Sequence, residues 1–293
     1  MTALCEGLVI AHLGQGIAIE ASEQIILCQT KRRLDTVAVG DKVLWSCATP
    51  GQGRIEKILP RRTLLARPSS QSKVRPVAAN IDTVLIVFAA EPACDFLLID
   101  QYLAVCENKQ IQAELVYNKT DLASPDDIET ELSHYHKLGY PLYRISIKTV
   151  SGLNELRRAL TNRVCILAGQ SGVGKSSITN TLIPDKPLKI QAISDSTKHG
   201  RHTTTAATLY HLPEGGDLID SPGVSIFGLA DLNEQQLAYG YREFQPLLAQ
   251  CQFNDCSHGQ DKGCAIRRAT EHGEIPATRY QRFLKLKDKL SRH

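Results

Sequence analysis

Residues 164–182 read Val164-Cys-Ile-Leu-Ala-Gly169-Gln-Ser-Gly-Val-Gly-Lys-Ser176-Ser-Ile-Thr-Asn-Thr-Leu182. An apolar run, Val164 to Leu167, enters a glycine-rich turn that matches G-x4-G-K-[ST], and a segment with Ile178 and Leu182 at helical spacing leaves it. This is the strand–loop–helix context in which such a turn holds phosphate. Glycines let backbone N–H groups wrap the anion, and the positive end of the following helix favours it. The candidate phosphate residues are Gly169, Gln170, Ser171, Gly172, Val173, Gly174, Lys175, Ser176 and Ser177, with Lys175 as a point charge to the β- and γ-phosphates and Ser176 as a hydroxyl ligand to Mg²⁺. The competing reading is a plain glycine turn joining strand to helix.

Outward from this loop the chain alternates buried strands with amphipathic helices. The strand candidates are Thr83–Phe88, Ala113–Tyr117, Leu142–Ile145, Val164–Leu167 and Asp217–Asp220, with helical spacing over 97–108, 126–138 and 153–161. That alternation predicts an α/β domain with a mostly parallel sheet. Asp220-Ser-Pro-Gly223 ends the strand after the phosphate loop, so the Asp220 carboxylate is placed to hold Mg²⁺ and the Gly223 N–H to reach a γ-phosphate.

Asn118-Lys-Thr-Asp121 follows the strand ending at Tyr117. In a phosphate-loop protein N-K-x-D reads guanine. The Asp121 carboxylate accepts from the N1 and N2 hydrogens together, adenine offers no such donor pair, and the stem of Lys119 packs on the ring. Asn118 and Thr120 complete the turn. Ser146, Ile147 and Lys148, at the end of the next strand, would close the pocket. Taken alone, the tetrapeptide is also an ordinary strand-to-helix turn.

The order of these pieces is their most specific property. The base motifs at 118 and 146 precede the phosphate loop at 169, whereas ordinary small GTPases place that loop first. The chain therefore reads as a circularly permuted GTPase domain, and whatever follows Gly223 is tethered to the segment that senses the γ-phosphate. Between the loop and Asp220 lies a polar stretch ending Gly200-Arg-His-Thr-Thr-Thr205, where a threonine can close on Mg²⁺ in the triphosphate state. Val224 stands where a Ras-like enzyme places its water-orienting glutamine, which leaves His202 as the candidate for that task. The alternative is that His202 and Arg201 face solvent or bind RNA phosphate.

The flanking segments have a different texture. Five short β-prone runs, Gly7–Ala11, Gly16–Glu20, Gln24–Cys28, Lys42–Trp45 and Arg54–Ile58, predict a small five-stranded barrel of the oligonucleotide-binding (OB-fold) type. Its basic connections, Lys31-Arg-Arg33 and Arg61-Arg62, suit RNA, and the loop Pro50-Gly-Gln-Gly53 would let a backbone approach a ligand; a barrel with no partner fits equally well. Beyond residue 230, helical segments at 233–250 and 275–290 surround Cys251-x4-Cys256-x-His258-x5-Cys264. Three thiols and an imidazole at this spacing suit a closed, structural Cys₃His zinc site. The remaining cysteines lie mainly in apolar runs and read as core. The stretch Arg279–Arg292 holds six Lys/Arg against one Asp, either a solvated helix face or an RNA contact.

Composition agrees with this division. The 293 residues are 42% hydrophobic and 22% charged, which excludes a disordered or fibrous chain. The longest apolar run, Val84 to Ala90, is far short of the roughly 18 residues of a membrane span, and no basic segment followed by an apolar core opens the chain. Nine cysteines, an odd number, fit reduced thiols or metal ligands better than disulfides. The net charge of +3 hides an asymmetry: residues 1–75 carry 11 Lys/Arg against 6 Asp/Glu, residues 76–230 carry 13 against 17, and residues 231–293 carry 10 against 8. An acidic middle lies between two basic ends.

The motif set, in this order, closely resembles the bacterial ribosome-small-subunit-dependent GTPase A family over essentially the whole chain. The resemblance implies an OB-fold barrel at 1–68, a permuted P-loop GTPase domain at 75–229 and a small, mostly helical zinc domain at 230–293. It implies GTP/GDP, Mg²⁺ and one structural Zn²⁺ as ligands. The partner would be the small ribosomal subunit and its rRNA, bound late in maturation, with slow hydrolysis of GTP alone, faster hydrolysis on the subunit, and release on hydrolysis. It further implies that His202 orients the water and that Thr204 contacts magnesium beside Ser176 and Asp220. A cytoplasmic, monomeric protein with no membrane association is the accompanying expectation. Ser146-Ile-Lys148 departs from the commoner Ser-Ala-Lys, a small change because the middle residue offers mainly its backbone N–H.

Overall fold

The computed structural model describes residues 4–13, 16–31, 34–49, 52–67, 75–184, 207–221 and 232–291. His202, Thr204 and Gly223, with the rest of Gly200–Thr205 and Val224, lie outside them. Among the described residues the chain divides into two units, one drawn from Met1–Thr83, Gly152–Leu167 and Gly174–Ile226, the other from Val84–Ser151, Ala168–Val173 and Phe227–His293.

The first unit contains the barrel. Strands β1 (Cys5–Leu13), β2 (Gly16–Ala21), β3 (Gln24–Thr30), β4 (Lys42–Thr49) and β5 (Gln52–Ile58) run in the order β1-β2-β3-β5-β4, and β4 returns to pair with β1, closing the sheet. Closure removes both edges, as the alternation of apolar and polar residues requires. Val9, Ile17, Ile19, Cys28, Val37, Val43 and Ile55 fill the interior. Gly53 belongs to this packing and does not open a ligand path: a Cβ there would lie 2.4 Å from the Cys28 Sγ. The basic pair after β5 is likewise structural. Arg61 donates through Nε to the fully buried Asp41 at 2.7 Å, and Arg62 through Nη1 to Asp82 at 2.8 Å.

A short hairpin, β6 (Leu64–Arg67) with β7 (Arg75–Ala79), follows. Later segments of the same unit supply α3 (Leu153–Leu160), β11 (Val164–Ala168), α4 (Lys175–Leu182), β12 (Thr208–His211) and β13 (Asp217–Asp220). Strand β11 is parallel to β13, while β12 is antiparallel to β13 and pairs on its other side with β1 of the barrel. The sequence reading placed β11, β13 and α3 within a residue or so of their bounds but did not find β6, β7 or β12, which are only four or five residues long.

The second unit is built on β8 (Thr83–Phe88), β9 (Gln112–Tyr117) and β10 (Leu142–Arg144), with α1 (Phe96–Lys109) and α2 (Asp126–Lys137) between them. The sheet order is β10-β9-β8, with β10 parallel to β9. All six β8 residues are buried, which explains the unbroken apolar run. From the C-terminal region come α5 (Glu234–Tyr239), α6 (Gln245–Leu248), α7 (Ala265–Glu271) and α8 (Ala277–Leu290); α7 is an addition to the sequence expectation. Helix α5 lies against α1 so closely that a Cβ on Gly240 would stand 2.6 Å from the Ala104 Cβ.

Two arginines settle the basic stretch of α8. Arg279, 1% exposed, donates to Asp100 of α1 and to Glu243, and Arg282 donates to Asp100 at 2.6 Å and to both oxygens of Glu131 of α2 at 2.9 and 2.7 Å. Lys287 donates to the Ser257 carbonyl. Half of the six basic residues therefore hold the unit together, and Lys285 and Lys289 are left exposed on the helix. Of the cysteines outside the cluster, Cys28, Cys106 and Cys165 are buried as expected, whereas Cys5 and Cys47 are exposed. Among the described residues no helix is long and apolar enough to cross a membrane.

Candidate functional site

The loop from Gly169 to Ser177 has the backbone its glycines permit. Gly169, Gly172 and Gly174 have φ of +137°, +82° and +100°. At Gly169 a Cβ would stand 2.1 Å from the Val87 carbonyl oxygen, so no other residue fits beside β8. Gly174 opens α4 and, having no side chain, makes no side-chain cap, and the positive end of a helix favours an anion. Within the first unit, burial pulls the Lys175 ammonium below its usual range, against the opposing pull of the Asp220 carboxylate. A group losing water in this way gains from the arrival of an anion. Ser176 and Ser177 are exposed, and Asp220 is half-buried at the end of β13.

In the second unit the base motif is fastened to the front of the same loop. Asn118 is 2% exposed and donates through Nδ2 to the Val173 carbonyl at 2.9 Å, while Lys119 donates through Nζ to the carbonyls of Gly172 at 2.9 Å and Glu91 at 2.7 Å. Gln170 also docks on the loop after β8, donating to the Ala93 carbonyl at 3.0 Å and accepting from the Asp95 N–H at 3.2 Å. The Lys119 stem is thus fixed by both its ends, at a backbone φ of +62°. Thr120 donates its N–H to the Ile145 carbonyl, placing the turn beside the end of β10. Ser146, fully buried, donates to the Asp121 carboxylate at 2.6 Å and holds it below the usual carboxylate range, and Lys148 stands 3.8 Å from the other oxygen. An ionised, pre-oriented carboxylate is the acceptor that guanine's N1 and N2 hydrogens call for.

The structure adds features that the motifs did not announce. The Val173 and Gly172 carbonyls act as acceptors for Asn118 and Lys119, and the residues after β8 serve as an anchor for Gln170. The closing loop is also tighter than its composition suggested: Ser146 and Ser151 form a bridge, the Thr149 N–H donates to the Ser146 Oγ at 3.2 Å, and exposed Val150 has φ of +58°. A β-branched residue in that region is rare and strained. No sequence signal for it existed beyond the absence of glycine at a turn. Ile147 is half-buried, in keeping with a backbone role.

The cysteine cluster is preassembled in the second unit. A tetrahedral zinc ion with Zn–S of about 2.3 Å and Zn–N of about 2.0–2.1 Å sets sulfur–nitrogen edges near 3.6 Å. His258 Nδ1 lies 3.6 Å from Cys251 Sγ and 3.8 Å from Cys264 Sγ, and the ligand atoms of Cys251, Cys256, His258 and Cys264 all fall within 4.8 Å of one another. The donor set therefore fits a zinc ion. Backbone N–H groups of Ala265 and Arg267 donate to the Cys251 and Cys264 sulfurs, each at 3.4 Å, as they would to thiolates. Burial pushes the Cys256 thiol up to about 12. The loop is held from α8 by Tyr280, which donates to the His258 carbonyl at 2.7 Å.

Comparisons with known proteins agree with this geometry. Residues 58–230 match the family described as RsgA GTPase. The chain is 44% identical over 292 residues to the small ribosomal subunit biogenesis GTPase RsgA of Chromohalobacter salexigens, covering 97% of this chain and 86% of that protein. It is 40% identical over 298 residues to the protein of the same name from Proteus mirabilis, covering 98% and 85%. Among solved structures, YjeQ from Thermotoga maritima superposes with a TM-score of 0.77 at 31% identity, covering 98% of this chain and 99% of that one. YloQ, described as a circularly permuted GTPase, gives 0.74 at 27% identity, covering 99% and 96%. The family match over more than half of the chain and the near full-length relatives at 40–44% identity show that this chain belongs to the RsgA GTPase family.

Proposed function

We propose that this GTPase binds the small ribosomal subunit late in its maturation, hydrolyses GTP faster when bound, and leaves after hydrolysis. The observation that carries the reading is the fastening of Asn118 and Lys119 to Val173 and Gly172, which ties the guanine motif to the first half of the phosphate loop despite their inverted order. The relatives' names supply the partner: they are small ribosomal subunit biogenesis GTPases.

In this reading Asp121 takes the base, with Ser146, Ile147 and Lys148 closing over it. Gly169 to Ser177 take the phosphates, and the Gly223 N–H reaches the γ-phosphate. Ser176, Thr204 and Asp220 hold Mg²⁺, which when bound neutralises charge developing on the transferred phosphoryl group. His202 orients the attacking water, since Val224 cannot. One Zn²⁺ staples the region 251–264. The domains run 1–68, 75–229 and 230–293. The outer two contact rRNA, and the acidic middle is kept off it by like charge. The protein works in the cytoplasm as a monomer. Sedimentation of the full chain with purified small subunits tests the binding step: co-pelleting with a non-hydrolysable GTP analogue and loss of co-pelleting with GDP are expected, and equal co-pelleting in both states would count against hydrolysis-coupled release.

A further inference from the structure

The barrel and the hydrolytic site share one short hairpin. Strand β12 begins three residues after Thr205, and β13 ends on Asp220, with Thr208 opposite Asp220 in the register. On its other side β12 meets the barrel, where among the described residues Ala11 stands opposite Thr208. Beside this backbone pairing a side chain also spans the join. His211 at the end of β12 places Nδ1 2.6 Å from the Asp217 carboxylate of β13 and Nε2 2.7 Å from the Glu20 carboxylate of β2. A neutral imidazole has one N–H, so only the imidazolium donates to both carboxylates. Asp217, then Glu20, hold the ring in that form, pushing its pKa up to about 9.

We infer that His211 is a positioning residue that clamps the barrel to the β12–β13 hairpin and carries engagement of the barrel by RNA to the hydrolytic site. The side chains are 53% (His211), 33% (Glu20) and 23% (Asp217) exposed, and ion pairs this open to solvent add little to global stability. What the clamp fixes is direction: the barrel strand β2, the strand that follows Gly200–Thr205, and the strand that carries Asp220 toward Mg²⁺ are held as one piece. A partner gripping the barrel then shifts the hairpin, and by reciprocity the nucleotide state shifts barrel affinity. The hydrogen bonds of His211 go to Asp217 and Glu20, not to the groups proposed to hold the nucleotide, so basal chemistry does not need it.

The inference rests on the small-subunit reading above, and the test separates the two. GTP turnover is measured for the full chain with and without purified small subunits in the wild type, His211→Ala, Glu20→Gln, the double variant and His211→Arg, with thermal melts to confirm folding. The expectation is that His211→Ala and Glu20→Gln keep basal turnover and each lose stimulation at least fivefold. The double variant should be no worse than either single one, and His211→Arg, whose guanidinium reaches two carboxylates, should recover most of the stimulation. Full stimulation of His211→Ala, or an equal fall in its basal rate, would overturn the clamp while leaving the small-subunit reading in place. A wild type that small subunits do not stimulate would overturn both.

Discussion

Ser146 donates its hydroxyl to the Asp121 carboxylate at 2.6 Å, and this one hydrogen bond links the loop we propose closes the guanine pocket to the residue we propose reads the base. The serine is fully buried, so its hydroxyl is held in place and orients the carboxylate that accepts from it. Preorganisation of this kind puts specificity in the position of the acceptor.

Asp121→Asn should therefore exchange specificity. The new amide donates where guanine also donates and suits the 2-oxo group of xanthine. GTP affinity should fall by about 3 kcal/mol, roughly a hundredfold, and XTP affinity should rise above it. Equilibrium binding of fluorescent GTP and XTP analogues measures both; retained preference for GTP would remove Asp121 from base recognition.

Val150 closes the same loop with φ of +58° and its side chain in solvent. Glycine takes that conformation without strain. Relief of about 1–3 kcal/mol, offset by the greater entropy glycine loses on folding, leaves Val150→Gly more stable by about 1 kcal/mol. The melting temperature should rise by ~2–4 °C, and a fall would show that the valine makes a contact which compensates its backbone.

The zinc prediction concerns metal content and order together. The protein as purified should carry one zinc per chain. Cys256→Ser should lower the melting temperature by on the order of 5–10 °C, and chelation should expose the backbone of 251–264 to hydrogen exchange. Exchange that ignores a strong chelator would mean that Phe283, Tyr280 and the arginine pairs of α8 hold the loop without metal.

His202 carries the hydrolytic prediction. His202→Ala should bind GTP as the wild type does and turn it over at least about tenfold more slowly, as loss of a water-orienting group implies. Single-turnover hydrolysis separates the two effects, and an unchanged rate would assign the water to another group.

Much of this was legible because it is local. Strand β8 is an unbroken run of six buried residues, and the phosphate loop needs glycines at fixed offsets. The cysteine spacing alone brings four ligands within 14 residues, and the structure shows them at metal-binding separations. What was not legible depends on partners distant in sequence. Arg279 and Arg282 read either as a solvated helix face or as an RNA contact, yet they neutralise Asp100 and Glu131 of other helices and Glu243 between two more. Arg61 and Gly53 looked like ligand contacts and are instead held by Asp41 and Cys28. Charge composition cannot separate a solvated cation from a paired one when its carboxylate lies 20 to 182 residues away. Strand β12 escaped because its four residues have no periodicity of their own and are defined by β13 and β1 on either side.

The central claim is that this permuted GTPase answers to the small ribosomal subunit. Steady-state GTP hydrolysis by the full chain, alone and with purified small subunits, large subunits or tRNA at equal concentration, tests it most directly. Turnover raised about tenfold or more by small subunits and left near basal by the other two is the predicted result; equal or greater stimulation by large subunits or tRNA, or none by any of them, would contradict it.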